Sequence, residues 1–241
     1  MLAALPCMGE TGRFLLRVPR MSLLPSVEHE TGPDPRHSVI WLHGLGADGN
    51  DFAPIVPELV NAAWPALRFV FPHAPVQPVS INGGMPMRAW YDIFGFDARA
   101  PQDEAGIRRA IDAVEALITR EHERGVPSER IVLAGFSQGG AIALAAGLRH
   151  AQPLAGIVAL STYLPISATL APERSAANAR VPIFWGHGSA DPVVVLQRGL
   201  DSRQLLETLG YTIDWHTYPM PHSVCAEEIA DLRRWFSARL G

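Results

Sequence analysis

The chain has 241 residues, enough for one α/β domain with a well-buried core. A formal charge of −4 at pH 7 leaves no basic surface for nucleic acid or anionic membranes, and no apolar run is long enough to insert stably in a bilayer. The two cysteines, Cys7 and Cys225, lack metal-ligand or redox spacing, which fits a cytoplasmic chain with free thiols better than a secreted disulfide framework.

Residues 1–22 read as an N-terminal extension, loosely attached or adding a strand at LLRV (15–18), with Met21 an alternative start. Its apolar opening has no preceding positive charge and makes a poor signal peptide. The domain proper spans 23–241. SVIWL (38–42) is an apolar run that predicts a buried strand, followed by the loop HGLGADGND and a helix capped by Asp51 and running to about Val60. A strand over 67–71 ends at Pro72. Residues 73–102 then form a long stretch rich in Pro, Gly and aromatics, read as irregular. Over 103–124, Ile107, Ile111, Val114 and Ile118 recur at helical spacing and Gly125 stops the helix. Further strands are predicted at 131–134, 154–160, 181–187 and 211–217, with helices after Ser137, over 196–209 and over 224–240. Strands alternating with helices imply a single α/β domain with a mostly parallel central sheet covered on both faces. In such a sheet the functional loops gather beyond the strands' C-terminal ends.

One motif stands at such an end. Gly135-Phe136-Ser137-Gln138-Gly139 follows an apolar strand and precedes an apolar helix. A serine at a sharp strand-to-helix bend lifts its hydroxyl clear of the sheet, and the residues two before and two after must be small because they crowd each other. Such a serine needs a base and an orienting carboxylate, in the chain order Ser, acid, His. His222 lies in the loop after the last strand, whereas His216 alternates inside that strand and reads as structural. Asp191 lies in the loop GHGSADP after a strand. Asp201 in a helix and Asp214 in a strand are badly aimed. Oxyanion donors are assigned to the N–H of Gln138 and, from the glycine-rich loop after SVIWL, to that of Leu45. No metal motif, G-x-G-x-x-G or phosphate-binding loop is present, so neither a metal nor another cofactor is expected.

HGLGADGND, FPHAP, RAWYDI, GFSQGG, HGSADPVV and PHSVCAEEI, taken in order, resemble the phospholipase/carboxylesterase family, which includes acyl-protein thioesterases and bacterial carboxylesterases. The resemblance runs from about Leu23 to Arg239 and implies a compact α/β-hydrolase. It matches Ser137, Asp191 and His222 to the family's catalytic residues, and Leu45 and Gln138 to its oxyanion donors. Pro221, before His222, departs from the usual glycine or methionine.

Too few residues lie between Leu160 and Val181 for a large cap domain, so the site is expected to be open. Met85, Met87, Trp90, Tyr91, Phe94 and Phe96 are candidates for an apolar acyl groove, with Trp90, Tyr91 and Phe94 assigned to substrate binding, against the alternative that they seal the core. The expected activity is hydrolysis of short- to medium-chain carboxylic esters through an acyl-enzyme. The alternative is an acyl-protein thioesterase or lysophospholipase acting on longer chains, and a hydrolase-fold binding protein without turnover is a second class. The partner is a small-molecule ester or thioester, and a homodimer stays open. Cys225 is expected to be a buried inert thiol.

Overall fold

The computed structural model describes residues 23–95 and 100–240. The extension 1–22 with its LLRV segment, and Phe96, lie outside them.

In chain order the elements are β1 (Ser26–Glu30), β2 (His37–Leu42), α1 (Val56–Leu59), β3 (Leu67–Pro72), β4 (Val76–Val79), β5 (Met85–Arg88), α2 (Glu104–Glu123), β6 (Ile131–Phe136), α3 (Gln138–Gly147), β7 (Gly156–Leu160), α4 (Ser167–Glu173), β8 (Ile183–Gly188), α5 (Leu196–Thr208), β9 (Ile213–Tyr218) and α6 (Ala226–Leu240). Seven strands form one sheet in the order β1-β3-β2-β6-β7-β8-β9. Every neighbouring pair is parallel except β1 with β3.

Alternation along the strands builds a core on each face. Ile40 and Leu42 of β2 point with Leu133 of β6 toward α2 and α3. Val39 and Trp41 point the other way, with Phe69, Phe71 and Phe184, toward α6. All ten residues of α3 are buried, as expected of a helix that is apolar all round. Helix α2 begins at Asp103, whose carboxylate caps the Gly106 N–H at 2.8 Å. It buries Ile107, Val114 and Ile118, while Ile111 is only partly covered.

Several local expectations are corrected. The helix predicted from Asp51 is a 3-10 turn over Ala53–Ile55 followed by the single turn of α1, with no side-chain cap. Pro54 and Pro57 lack the N–H groups that would let it begin earlier or run longer. The stretch 73–102 contains the hairpin β4–β5, which turns at Gly83 (φ 66°) and Gly84 (φ 77°). Its pairing places Pro78 opposite Pro86, two residues that argue against a strand when read singly. Strand β1 and helix α4 had no counterpart in the sequence reading. No helix among the described residues is long and apolar enough to cross a membrane.

The chain adds strands in one direction through β2 and β3 and in the other from β6 to β9. The reversal falls between β2 and β6, which pair directly from Ser38↔Ile131 to Leu42↔Gly135. A crevice opens beyond the carboxyl ends of strands at such a point. The loops after β2 and β6 are therefore neighbours.

Candidate active site

Ser137 follows β6 with φ 53° and ψ −120°, a backbone conformation costly for any residue with a Cβ. Its side chain makes no capping bond to α3, so the hydroxyl is left to the crevice. The flanking glycines are required by contact: a Cβ on Gly135 would lie 2.4 Å from the Gly139 backbone, and one on Gly139 would lie 2.2 Å from the Leu42 carbonyl oxygen. The bend is anchored by the Ser137 N–H donating to Leu160 O at 2.9 Å and by the Thr162 hydroxyl donating to Ser137 O at 2.7 Å.

Beyond β8, the buried Asp191 carboxylate is fully engaged. One oxygen accepts the Val193 and Val194 N–H groups at 2.8 and 2.9 Å, and the other lies 2.6 Å from His222 Nδ1. The neighbouring His187, also buried, donates from Nε2 to Val194 O at 2.8 Å. Burial lowers its pKa, which keeps it a neutral brace for this loop. The Phe136 ring packs against the His222 imidazole with centroids 4.7 Å apart.

Ser137 and His222 line one cavity of about 280 Å³ together with Leu45 and Gln138. The Leu45 N–H has no protein acceptor among the described residues. Gln138 is the first residue of α3, so its N–H is among those a helix leaves unpaired. Two N–H groups therefore border the space beside the serine.

The loop carrying Leu45 is held from below by His43. The His43 Nε2 accepts the Ala74 N–H at 3.0 Å, which leaves Nδ1 as the donor to Gly44 O at 2.7 Å. Burial lowers the His43 pKa, in keeping with this neutral tautomer. Trp90 donates its indole N–H to His43 O at 2.9 Å. The Gln138 side chain ties the next stretch down, accepting Trp90 N–H at 2.8 Å and donating to Tyr91 O at 2.7 Å.

The groove candidates separate accordingly. Tyr91 lines the cavity. Trp90 does not: it is 3% exposed and packs behind the wall against His43. Phe94 is 49% exposed and, like Met85 and Met87, lies outside the lining. Ile93, Tyr163, Val193, Val194 and Arg198 complete the wall and were not singled out from the sequence. Tyr163 and Arg198 follow the ends of β7 and β8, and that position was the signal that could have flagged them. Asp214 and His216 pair with each other at 2.9 Å on β9, away from the cavity. Cys225 is half-buried rather than buried, and burial raises its thiol pKa, which keeps it protonated.

A serine lifted on a strained bend at the reversal of a parallel sheet is how the α/β-hydrolases present their nucleophile, and the chain is a serine hydrolase of that fold. It belongs to the phospholipase/carboxylesterase family, whose sequence profile matches residues 25–239. It is 40% identical over 231 residues to acyl-protein thioesterase 1 of Mycosarcoma maydis, covering 88% of this chain and 95% of that one. Against acyl-protein thioesterase 1 of Neurospora crassa the identity is 41% over 228 residues, covering 90% and 91%. Among solved structures, Arabidopsis thaliana SOBER1 superposes with a TM-score of 0.82 at 31% identity, covering 86% of this chain and 100% of that one.

Proposed function

We propose that this chain hydrolyses acyl thioesters, and esters of the same acyl groups, with Ser137 as nucleophile, His222 as general base and acid, and Asp191 as its orienting carboxylate. The observation that carries the reading is the 2.6 Å contact between His222 Nδ1 and Asp191 Oδ2 at a cavity Ser137 also lines. With Nδ1–H committed to the carboxylate, Nε2 keeps its lone pair and can accept the serine proton. Ser137 Oγ then attacks the acyl carbon, and the new oxyanion is met by the N–H groups of Leu45 and Gln138. Each such donor supplies about 3–4 kcal/mol of transition-state stabilisation. Collapse expels the thiol or alcohol with the proton held by His222. Water then repeats the sequence on the acyl-enzyme.

The sequence alone put short-chain carboxylesterase activity first. The relatives at about 40% identity are named acyl-protein thioesterases, and that favours the longer-chain thioester reading. The surface supports it: the cavity is at the small end of ligand sites, but Val193 in its wall stands 40% exposed and offers an apolar path toward solvent for a longer chain. Turnover of C4, C8 and C16 acyl esters is to be compared with that of a palmitoyl-thioester peptide, with Ser137→Ala as control. Cleavage of the peptide that vanishes in the control is expected. Turnover of C4 esters alone would return the assignment to a general carboxylesterase, and a folded wild type that a fluorophosphonate probe fails to label would favour a binding protein.

A further inference from the structure

Arg198 stands at the third position of α5, and its guanidinium lies over the Tyr163 ring, 3.4 Å from the centroid, in the wall of the cavity that holds Ser137. Elsewhere Arg68, Arg124 and Arg149 are matched to acids, Glu121, Glu28 and Glu173, while the half-buried Arg88 and Arg239 donate to the backbone carbonyls of Ala74 and Trp235. Arg198 has no acidic partner among the described residues. Asp51, the carboxylate in the cavity lining, belongs to the loop beyond Leu45 and is not within ion-pair distance of it.

The main chain that carries it is fixed. The Ser202 hydroxyl donates to Arg198 O at 2.8 Å and accepts the Leu164 N–H at 3.0 Å, pinning the first turn of α5 to the segment that carries Tyr163. The Tyr163 hydroxyl lies 2.8 Å from that of Tyr91. Stacking occupies a face of the guanidinium and leaves its edge, with the N–H donors in one plane, unused. Such an edge matches a carboxylate or phosphate in bidentate fashion. Ile93, Val193 and Val194 nearby keep the surroundings apolar, which strengthens a charge pair made there.

Resting on the hydrolase reading and extending it to substrate class, we propose that Arg198 selects substrates bearing an anionic group, a carboxylate or phosphate, apart from the scissile carbonyl. That group sits either on the acyl tail or on the leaving group. Three thioesters separate the cases: butyryl-2-mercaptoethanol, which is neutral, glutaryl-2-mercaptoethanol, charged on the acyl side, and butyryl-3-mercaptopropionate, charged on the leaving group. One of the charged pair is expected to exceed the neutral compound in kcat/KM on the order of tenfold, the worth of a charged hydrogen bond at a half-exposed site, with the difference in KM. Arg198→Leu brings that ratio to about one, and Arg198→Lys, which keeps the charge but not the planar edge, retains part of it. A wild type that favours the neutral thioester, or a preference that survives Arg198→Leu, overturns the proposal and leaves the arginine a brace for Tyr163. Should the wild type cleave none of the three, labelling of Ser137 by a fluorophosphonate probe decides the hydrolase reading separately, and calorimetry with glutaramate against neutral pentanamide, and with 3-(methylthio)propionate against its neutral amide, decides the arginine. Tighter binding of either anion than of its neutral counterpart, lost in Arg198→Leu, supports it, and equal binding within both pairs sinks it.

Discussion

The two oxygens of Asp191 are divided between two tasks: Oδ2 lies 2.6 Å from His222 Nδ1, and Oδ1 accepts the N–H groups of Val193 and Val194. An asparagine here is held by the same backbone donors, so its single oxygen stays with Val193 and Val194 and its NH₂ is turned toward the imidazole. Nδ1 must then accept, the ring proton moves to Nε2, and the histidine can no longer take a proton from Ser137. Asp191→Asn is therefore expected to fold as the wild type does but to lose on the order of 10⁴ in kcat. Steady-state kinetics with circular dichroism on the same sample check it, and a loss smaller than tenfold would remove Asp191 from the mechanism.

Ser137 holds its strained bend at a cost to stability. Glycine tolerates the φ of 53° that serine does not. Ser137→Gly is expected to abolish turnover while raising stability by about 1–2 kcal/mol, a shift of about 2–4 °C in Tm per kcal/mol for a domain of this size. Ser137→Ala, which keeps a Cβ in the same strained conformation, is expected to lose activity without that gain. Equal melting temperatures for the two variants would show that the strain is absent.

Gln138 contributes to the site twice, through different atoms. Its N–H borders the cavity, while its side-chain amide bridges Trp90 N and Tyr91 O beneath the wall. Gln138→Ala keeps the first and removes the second, leaving a buried donor and a buried acceptor unmet. A loss of about 2–4 kcal/mol in unfolding free energy is expected. Urea titration measures it, and a change below about 0.5 kcal/mol would mean that the segment reorganises to pair its own backbone.

What could be read from the sequence is what depends on position along one strand. Ser137, Asp191 and His222 each follow a strand's last residue, so the sheet's polarity alone gathers them at one edge, as their observed positions after β6, β8 and β9 reflect. What could not be read depends on packing between distant segments. Arg198 and Tyr163 are neighbours because α5 lies against the loop after β7, which no local periodicity encodes. Trp90 and Tyr91 are adjacent and chemically alike, yet alternation sends one behind the wall and the other into the cavity. The β4–β5 hairpin was hidden by its prolines, although the glycine pair at its turn, Gly83-Gly84, was visible.

Glu228 offers the clearest dependence on pH. It is wholly buried on α6, where a Cβ added to Gly186 of β8 would lie 1.8 Å from its Oε1, and neither carboxyl oxygen has a hydrogen-bond partner of normal geometry. Burial pushes its pKa up to about 8 from the ordinary 4.5, outweighing the pull of the Cys225 backbone toward the anion. The ionisable Tyr218, whose own pKa is raised chiefly by burial, lies close enough to feel its charge. The folded state thus holds a proton that the unfolded chain releases near pH 4.5. The associated stability is complete below that pH, is lost progressively as pH rises through about 8, and is gone above it, amounting to about 5 kcal/mol at most. Glu228→Gln has no proton to release, so its unfolding free energy lacks this decline while the other titrating groups are shared. Denaturant unfolding at pH 5, 6.5, 8 and 9 is expected to show the variant gaining on the wild type between pH 5 and 8 and holding a constant lead beyond. Parallel curves across that range would mean that Glu228 titrates as an ordinary carboxyl.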